Sequence, residues 1–151
     1  MNKTIAINSE TEMISLGEKI GKMAVPNMVI ILNGDLGAGK TTLTKGIGKG
    51  LGISEIINSP TYTILKIYHG RLVLYHFDVY RLNAESGDEY LEEYFYMGGL
   101  SVIEWANNID YLLPDEGVLS IEINIIGESS RTVTFHSDSS EYINLVERVL
   151  L

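Results

Sequence analysis

One stretch decides the fold of this 151-residue chain: Met28-Val29-Ile30-Ile31-Leu32-Asn33-Gly34-Asp35-Leu36-Gly37-Ala38-Gly39-Lys40-Thr41-Thr42. Its first five residues form an apolar run typical of a buried strand. Residues 34–41 then match G-x-x-x-x-G-K-[ST], the pattern of a phosphate-binding loop, and residues 41–51 can form a helix. A strand, this loop and a helix in that order predict the first unit of a nucleotide-binding α/β fold.

The loop residues suit the chemistry of a nucleoside triphosphate. Their glycines let the backbone turn so that successive N–H groups point at phosphate oxygens, and the following helix adds its positive N-terminal end. Lys40 would reach the β- and γ-phosphates, and the hydroxyl of Thr41 would be a ligand of Mg²⁺. The expected nucleotide-binding residues of the loop are Asp35, Leu36, Gly37, Ala38, Gly39, Lys40, Thr41 and Thr42.

The composition fits a single domain over residues 1–151, with 45% hydrophobic residues and no cysteine. Without cysteine, the chain has no disulfides and no thiolate metal sites, and its three histidines lack ligand spacing. No apolar run reaches the roughly eighteen residues of a membrane span, and the N-terminus leads into no signal-like apolar region. We expect a cytoplasmic protein with no membrane partner.

The charge is distributed unevenly along the chain. Residues 1–70 carry seven lysines and five acids, whereas residues 71–151 carry four arginines and fifteen acids, for a net charge of −9. Direct binding to a nucleic-acid backbone is disfavoured, because that affinity comes mainly from lysine and arginine. A basic protein partner is easier to accommodate. The acidic residues at 85–93 suit either a solvated helix face or a docking surface.

Hydrophobic periodicity predicts strands and helices around the phosphate-loop unit. A strand is expected at 4–7, and the capping box Ser9-Glu10-Thr11-Glu12 predicts a helix with Met13, Leu16, Ile20 and Met23 in the core. A β-hairpin is expected from an extended stretch that starts at Ser59-Pro60-Thr61-Tyr62 and runs to Tyr68, the two-residue turn His69-Gly70, and a strand from Arg71 to Phe77. The remaining predictions are helices at 88–96 and 107–113, strands at 100–105, 118–126 and 131–136, and a C-terminal helix burying Ile143, Val146 and Leu150. We expect an α/β fold, a P-loop NTPase-like three-layer sandwich with a mixed parallel and antiparallel central sheet.

Hydrolysis or phosphoryl transfer needs an acidic centre beside the loop to hold magnesium through water. Asp78 and Glu104 each follow an apolar run, although either can also be a plain strand-end acid. Asp78 is the better magnesium candidate because its carboxylate is short, whereas Glu104 has the reach to orient an attacking water. These roles can be exchanged. The candidate metal ligands are therefore Thr41, Asp78 and Glu104, and the candidate catalytic residues are Lys40, Asp78 and Glu104.

Thr61 and Trp105 are further candidates for the nucleotide site. Thr61 lies in a loop where switch segments offer a hydroxyl to Mg²⁺ and the γ-phosphate, but Ser59-Pro60-Thr61 also suits a plain strand-entry turn. Trp105 can pack near the nucleotide or fill the core. Arg81 can bridge to Asp78 or to a phosphate.

Three more motifs follow the phosphate loop: Ser59-Pro60-Thr61-Tyr62, His76-Phe77-Asp78-Val79-Tyr80-Arg81-Leu82 and Ile103-Glu104-Trp105. In this order and combination the chain resembles the TsaE family, also called YjeE, the small ATPases of bacterial tRNA threonylcarbamoyladenosine (t6A) synthesis. The resemblance covers residues 34–105. Asn107, Asn108 and the Gly98-Gly99 turn depart from the pattern of the relatives.

The resemblance implies a protein that binds ATP and Mg²⁺ and joins the TsaD–TsaB pair, which transfers a threonylcarbamoyl group to adenosine 37 of ANN-decoding tRNAs. Such a protein hydrolyses ATP, weakly when alone, to reset its partners between rounds, and it meets tRNA only through the complex. The implied roles are phosphate and magnesium binding for Lys40 and Thr41, the metal site for Asp78, catalysis for Glu104, a switch-like loop for Thr61 and the pocket edge for Trp105. Self-association stays open.

Three alternatives remain. Asn107-Asn108-Ile109-Asp110 resembles the N-K-x-D motif of GTPases, but the lysine is missing, and Arg81 stands where D-x-x-G has glycine. A small-molecule kinase would need arginines clustered in a lid, whereas the four arginines are dispersed. An interaction module would use the nucleotide only to set the shape of the loop at 59–62.

Overall fold

The computed structural model of the chain describes residues 1–59 and 63–151. Their strands are β1 (Asn2–Ile7), β2 (Val29–Gly34), β3 (Leu65–Tyr68), β4 (Leu74–Asp78), β5 (Leu100–Glu104), β6 (Leu119–Ile125) and β7 (Arg131–His136). Their α-helices are α1 (Glu10–Met23), α2 (Lys40–Gly50) and α3 (Ser140–Val149), and 3₁₀ helices span Glu89–Tyr96 and Ala106–Leu112. No helix in this described part is long and apolar enough to cross a membrane.

These strands lie in one sheet with the order β1-β7-β6-β2-β5-β4-β3. The centre is parallel, since β2 pairs with β5 and β6, and β4 pairs with β5, in parallel register. The edges are antiparallel, because β3 pairs with β4 and β7 lies between β6 and β1. The expected mixed sheet is confirmed. Its parallel centre brings the carboxyl ends of β2, β4 and β5 to the same end of the sheet.

Both faces of the sheet are covered. On one face, α1, α2 and α3 bury Ile30, Leu32 and other alternate strand residues. On the opposite face, the 3₁₀ helices cover Val29, Phe77 and Ile103. The expected three-layer arrangement is confirmed, with 3₁₀ helices in the third layer. Burial on both faces also explains why β2 is a continuous apolar run.

Four glycines bring α1 and α2 together at backbone distance. Gly17 and Gly21 lie one turn apart on α1, and Gly46 and Gly50 lie one turn apart on α2. A Cβ atom on any of the four would collide with backbone atoms of the other helix. The phosphate-loop helix is therefore held against α1 by a contact that no larger side chain fits.

Local hydrogen bonds set the predicted helix ends. The Oγ of Ser9 accepts the N–H of Glu12 at 3.1 Å and so caps α1, as the sequence indicates. The Glu12 carboxylate accepts the N–H of Asn8, one residue before the position that a standard capping box uses. After α2, Gly52 has a φ of 74°, a left-handed conformation that glycine adopts without strain.

The predicted two-residue hairpin turn is wrong. Strand β4 begins at Leu74 and not at Arg71, so residues 69–73 connect the two strands. Arg71 leaves the strand because its guanidinium donates to three carbonyl oxygens at the end of α1. These carbonyls belong to Gly21 at 2.8 Å, Lys22 at 3.2 Å and Ala24 at 2.8 Å.

Helix α3 exists where it was predicted, but its buried face differs. Its buried residues are Tyr142, Leu145, Val146 and Val149. Placing Ile143 in the core was therefore wrong, since it is only half-buried, whereas the partly buried Leu150 does pack against the core as predicted. The register follows from Tyr142, whose hydroxyl oxygen accepts the N–H of Val29 at 2.7 Å. This bond ties α3 to the start of the strand that leads into the phosphate loop.

The predicted helix at 88–96 is a 3₁₀ helix that begins at Glu89. Leu91 and Phe95 are buried beneath it, while its glutamates are exposed. At its end the chain passes Gly98, with a φ of 85°, and Gly99, where a Cβ atom would collide with the carbonyl of Val73. The unusual Gly98-Gly99 turn is thus required by close backbone packing.

Candidate nucleotide-binding site

The phosphate loop joins β2 to α2 through two glycines in left-handed conformations. Gly37 has a φ of 80° and Gly39 a φ of 120°, which other residues adopt only with strain. Gly39 is the N-cap of α2 and offers no side chain to the first turn. That turn also contains no acidic residue. The positive end of α2 is therefore open to an anion.

A cleft of about 310 Å³ lies beside this helix end. It is lined by Leu36, Gly37, Gly39, Lys40, Thr41, Thr42, Ser59, Asp78, Glu104 and Trp105. Most of the site residues indicated by the sequence therefore share one cleft. Asp35 and Ala38 do not line it, and the N–H of Ala38 donates to the carbonyl of Asp35 at 3.0 Å. Thr61 lies outside the described residues.

Asp78 and Glu104 meet because their strands are parallel neighbours. Asp78 is the last residue of β4 and Glu104 the last of β5, and the two are partners in the register of the sheet. Strand β2, which feeds the phosphate loop, pairs with β5 on its other side. The carboxyl ends of three adjacent strands thus bring both acids to the loop.

Glu104 is buried and held by two cationic or donor groups. Its Oε2 lies 2.9 Å from Nε2 of His76, which is fully buried. Its Oε1 lies 3.7 Å from Nζ of Lys40, and the Lys40 side chain is 12% exposed. The phosphate-loop lysine is therefore paired with a carboxylate in this structure.

Asp78 has a more open environment. It is half-buried, and its Oδ1 accepts the N–H of Tyr80 at 3.1 Å. Burial raises the pKa of this carboxyl, and the negative charge of Glu104 raises it further, while the Tyr80 N–H acts in the opposite direction. A cation placed beside Asp78 would act against this rise in pKa and favour the charged carboxylate.

Trp105 lies at the rim of the cleft and not in the core. Its side chain is 43% exposed, and its backbone has a φ of 65°. The indole packs edge-on against Tyr80 with ring centroids 4.9 Å apart, and Nζ of Lys40 lies 5.4 Å from its centroid. The sequence allows Trp105 to fill the core or to pack near a nucleotide, and its exposure excludes the first use.

Arg131 contacts the phosphate loop, although the sequence gave it no role there. Its Nε donates to the carbonyl of Ala38 at 2.8 Å, and its Nη1 donates to the carbonyls of Gly127 and Ser130, each at 2.9 Å. The guanidinium thus fastens the outer side of the loop to the turn between β6 and β7. A separation of 93 residues along the chain hid this contact from motif analysis.

A second cavity, of about 270 Å³, opens on the other side of the loop. It is lined by Ser9, Glu10, Met13, Gly37, Ala38, Gly39, Thr42, Glu128, Ser129 and Arg131. Gly37, Gly39 and Thr42 line both cavities. The two spaces therefore adjoin across the phosphate loop.

Asn108, part of the GTPase-like motif, is used structurally. Its side-chain amide donates to the carbonyls of Val79 at 3.0 Å and Tyr80 at 3.1 Å. In the N-K-x-D pattern this residue stands at the position of the missing lysine. Asn108 therefore fastens the segment that follows Asp78 to the start of the second 3₁₀ helix.

Comparison with known proteins decides the family. The family model described as threonylcarbamoyl adenosine biosynthesis protein TsaE matches residues 7–133. The chain belongs to the TsaE family. The match extends the sequence resemblance, which covered residues 34–105, in both directions along the chain.

Individual TsaE proteins align over most of the chain. The tRNA threonylcarbamoyladenosine biosynthesis protein TsaE of Bacillus subtilis (strain 168) is 46% identical over 144 residues, covering 95% of this chain and 90% of that protein. The protein of the same description from Treponema pallidum (strain Nichols) is 42% identical over 126 residues, covering 78% and 88%. The crystal structure of Bacillus subtilis YdiB superposes with a TM-score of 0.85 at 37% identity, covering 99% of this chain and 94% of that one.

Proposed function

We propose that this protein is an ATPase of t6A synthesis that binds the TsaD–TsaB pair and hydrolyses ATP to ADP and phosphate to support repeated threonylcarbamoylation of adenosine 37 in ANN-decoding tRNAs. The family membership supports the pathway, and the cleft supports the chemistry. The observation that carries the proposal is the convergence of Lys40, Thr41, Asp78 and Glu104 beside the open start of α2. One site then has an anion cradle, a cation and two acids.

The adjoining cavities suggest how a nucleotide would lie. The phosphates would occupy the cleft between Lys40 and Asp78, where the N–H groups at the start of α2 face an anion. The nucleoside would extend past Gly39 and Thr42 into the cavity bordered by Met13 and Arg131. Leaving the cleft by this side keeps the γ-phosphate next to Glu104.

The residues present fit Mg²⁺. The Thr41 hydroxyl and the carboxylates of Asp78 and Glu104 supply only oxygen atoms, the ligands that this hard cation prefers. Thr41 and Asp78 are the residues that would hold the ion, and bound Mg²⁺ would neutralise charge on the β- and γ-phosphates. Thr61, which lies outside the described residues, stays a proposed switch residue on sequence grounds.

The pairing of Lys40 with Glu104 suggests the order of events. Phosphates entering the cleft would replace Glu104 as the ion-pair partner of Lys40, since their negative charge exceeds that of a single carboxylate. Oε1 of Glu104 would then be free to orient an attacking water or accept its proton. Trp105, beside Lys40 at the rim, would close over the phosphates and limit the access of bulk water.

Phosphate release tests the proposal. The protein is mixed with ATP and Mg²⁺, alone and with the purified TsaD–TsaB pair, with GTP run in parallel, and Lys40→Ala and Glu104→Gln serve as matched variants. We expect strong stimulation by the pair with ATP only, loss of ATP binding in Lys40→Ala, and loss of turnover with retained binding in Glu104→Gln. Tight ATP binding without release under any condition would instead support a nucleotide-set interaction module.

A further inference from the structure

We propose that His76 is a positioning residue that fixes the orientation of Glu104 for ATP hydrolysis, an inference that rests on the proposed function. His76 lies inside β4, two residues before Asp78, and is fully buried. It lines neither of the two cavities that flank the phosphate loop. Any effect on the reaction must therefore pass through a neighbouring residue.

That neighbour is Glu104. Strands β4 and β5 are parallel neighbours. Because side chains alternate along a strand, His76 and Glu104 both lie on the face of the sheet that α1, α2 and α3 cover. The Nε2–H of His76 donates to Oε2 of Glu104 at 2.9 Å, while Oε1 faces Lys40 at 3.7 Å. Each carboxylate oxygen has its own partner. Rotation of the carboxylate would break the bond to His76.

A purely structural role does not account for an imidazole here. Its Nδ1 is buried without a hydrogen-bond partner in the described chain. Leaving a buried polar atom unpaired costs about 1–3 kcal/mol, so an apolar side chain next to Val102 would avoid this penalty. The bond to Glu104 is what the histidine supplies in return.

The consequence for catalysis is a prearranged carboxylate. Glu104 presents Oε1 in one orientation toward the phosphate loop before the nucleotide arrives. Displacing a catalytic group by about 1 Å can cost about a hundredfold in rate. Losing the anchor should lower kcat while leaving the phosphate-binding residues in place.

Two polar substitutions that differ by one methylene separate these roles. His76→Gln can place its amide nitrogen near the former Nε2 position, whereas the shorter His76→Asn cannot reach Glu104. With ATP and the TsaD–TsaB pair, we expect His76→Asn to lower kcat about tenfold to a hundredfold with little change in KM, and His76→Gln to restore most of it. Thermal melts test whether both variants fold. If His76→Asn does not fold, His76→Leu takes its place.

Crystal structures of the nucleotide-free variants give a readout that does not depend on turnover. The Glu104 side chain should keep its rotamer in His76→Gln and leave it in His76→Asn. Absence of phosphate release by the wild type would defeat the proposed function, and these structures would still decide whether His76 orients Glu104. Equal kcat in both variants, or an unmoved Glu104 in His76→Asn, would overturn the inference.

Discussion

Nζ of Lys40 lies 3.7 Å from Oε1 of Glu104, so the lysine of the phosphate loop is paired with the acid of the neighbouring strand. An incoming nucleotide must break this pair and bring its own negative charge close to Glu104. Glu104→Gln removes the ion pair with Lys40 and also the repulsion between the carboxylate and the phosphates. We expect this variant to bind ATP about tenfold more tightly, ~1.4 kcal/mol, while losing turnover.

Isothermal titration with ATP measures this effect. Glu147→Gln, on the exposed face of α3, makes the same charge change away from the site and should leave the affinity unchanged. Weaker ATP binding by Glu104→Gln would show that the carboxylate assists binding and would contradict the competition between Glu104 and phosphate for Lys40.

Because α1 and α2 are in close contact, we expect Gly→Ala substitutions between them to lower stability, the opposite of their usual effect in a helix. Gly→Ala in an exposed helix stabilises by about 1 kcal/mol, because alanine has the higher helix propensity. Gly17→Ala and Gly46→Ala should instead destabilise by about 2 kcal/mol, since the new methyl meets backbone of the other helix. Urea unfolding measures the change. Ser15→Ala, on the exposed side of α1, is the control, and unchanged or raised stability in both glycine variants would refute the contact.

The bond between Tyr142 and Val29 predicts a loss of stability that depends on pH. At pH 8, Tyr142→Phe leaves the buried Val29 N–H unpaired and should cost about 1–2 kcal/mol. Burial raises the folded-state pKa of Tyr142 above its ordinary value of 10.0. Above that value the unfolded tyrosine loses its proton first, so the contribution of this residue falls with rising pH.

The stability gap between wild type and Tyr142→Phe should therefore narrow as pH rises from about 10 through the raised folded-state pKa. Urea unfolding at pH 8 and at alkaline pH measures the gap, and Tyr90→Phe on the surface controls for the substitution itself. A gap that widens at alkaline pH would contradict the sign of the pKa shift.

Arg131 predicts an effect on nucleotide binding from outside the phosphate-loop motif. Arg131→Lys keeps the charge but loses the planar fork that bonds the carbonyls of Ala38, Gly127 and Ser130. If this fork holds the loop in its binding shape, ATP affinity should fall about tenfold, and the melting temperature should fall with it. Arg148→Lys on α3 is the matched control. Wild-type ATP affinity in Arg131→Lys would contradict the claim that the planar guanidinium, beyond its charge, holds the loop for nucleotide binding.

The sequence predicts the phosphate-loop unit well because its determinants are local. The apolar strand, the glycines and the helix lie within residues 28–51, and the structure has β2, the loop and α2 in that order. The acids at 78 and 104 were also recoverable, since each directly follows an apolar run. Their meeting required only the rule that parallel strands end at the same side of a sheet.

The features that escaped sequence analysis depend on contacts between distant residues. Arg71 caps a helix about 50 residues upstream, and this explains the wrong hairpin turn. Arg131 hydrogen-bonds a loop residue 93 positions earlier. Tyr142 sets which face of α3 is buried, through a hydrogen bond to a residue 113 positions earlier. Periodicity and spacing carry no information about such bonds, because each depends on how complete elements pack.

The most direct test of the account counts rounds of tRNA modification. The TsaD–TsaB pair is supplied with an excess of ANN-decoding tRNA and threonylcarbamoyl donor, together with ATP and either the wild-type protein or Glu104→Gln, and t6A formed per TsaD–TsaB pair is followed over time. The account predicts continued turnover with the wild type and arrest after the first round with Glu104→Gln. Continued rounds with the hydrolysis-deficient variant would contradict it, because ATP hydrolysis by this chain would then not be what supports repeated modification.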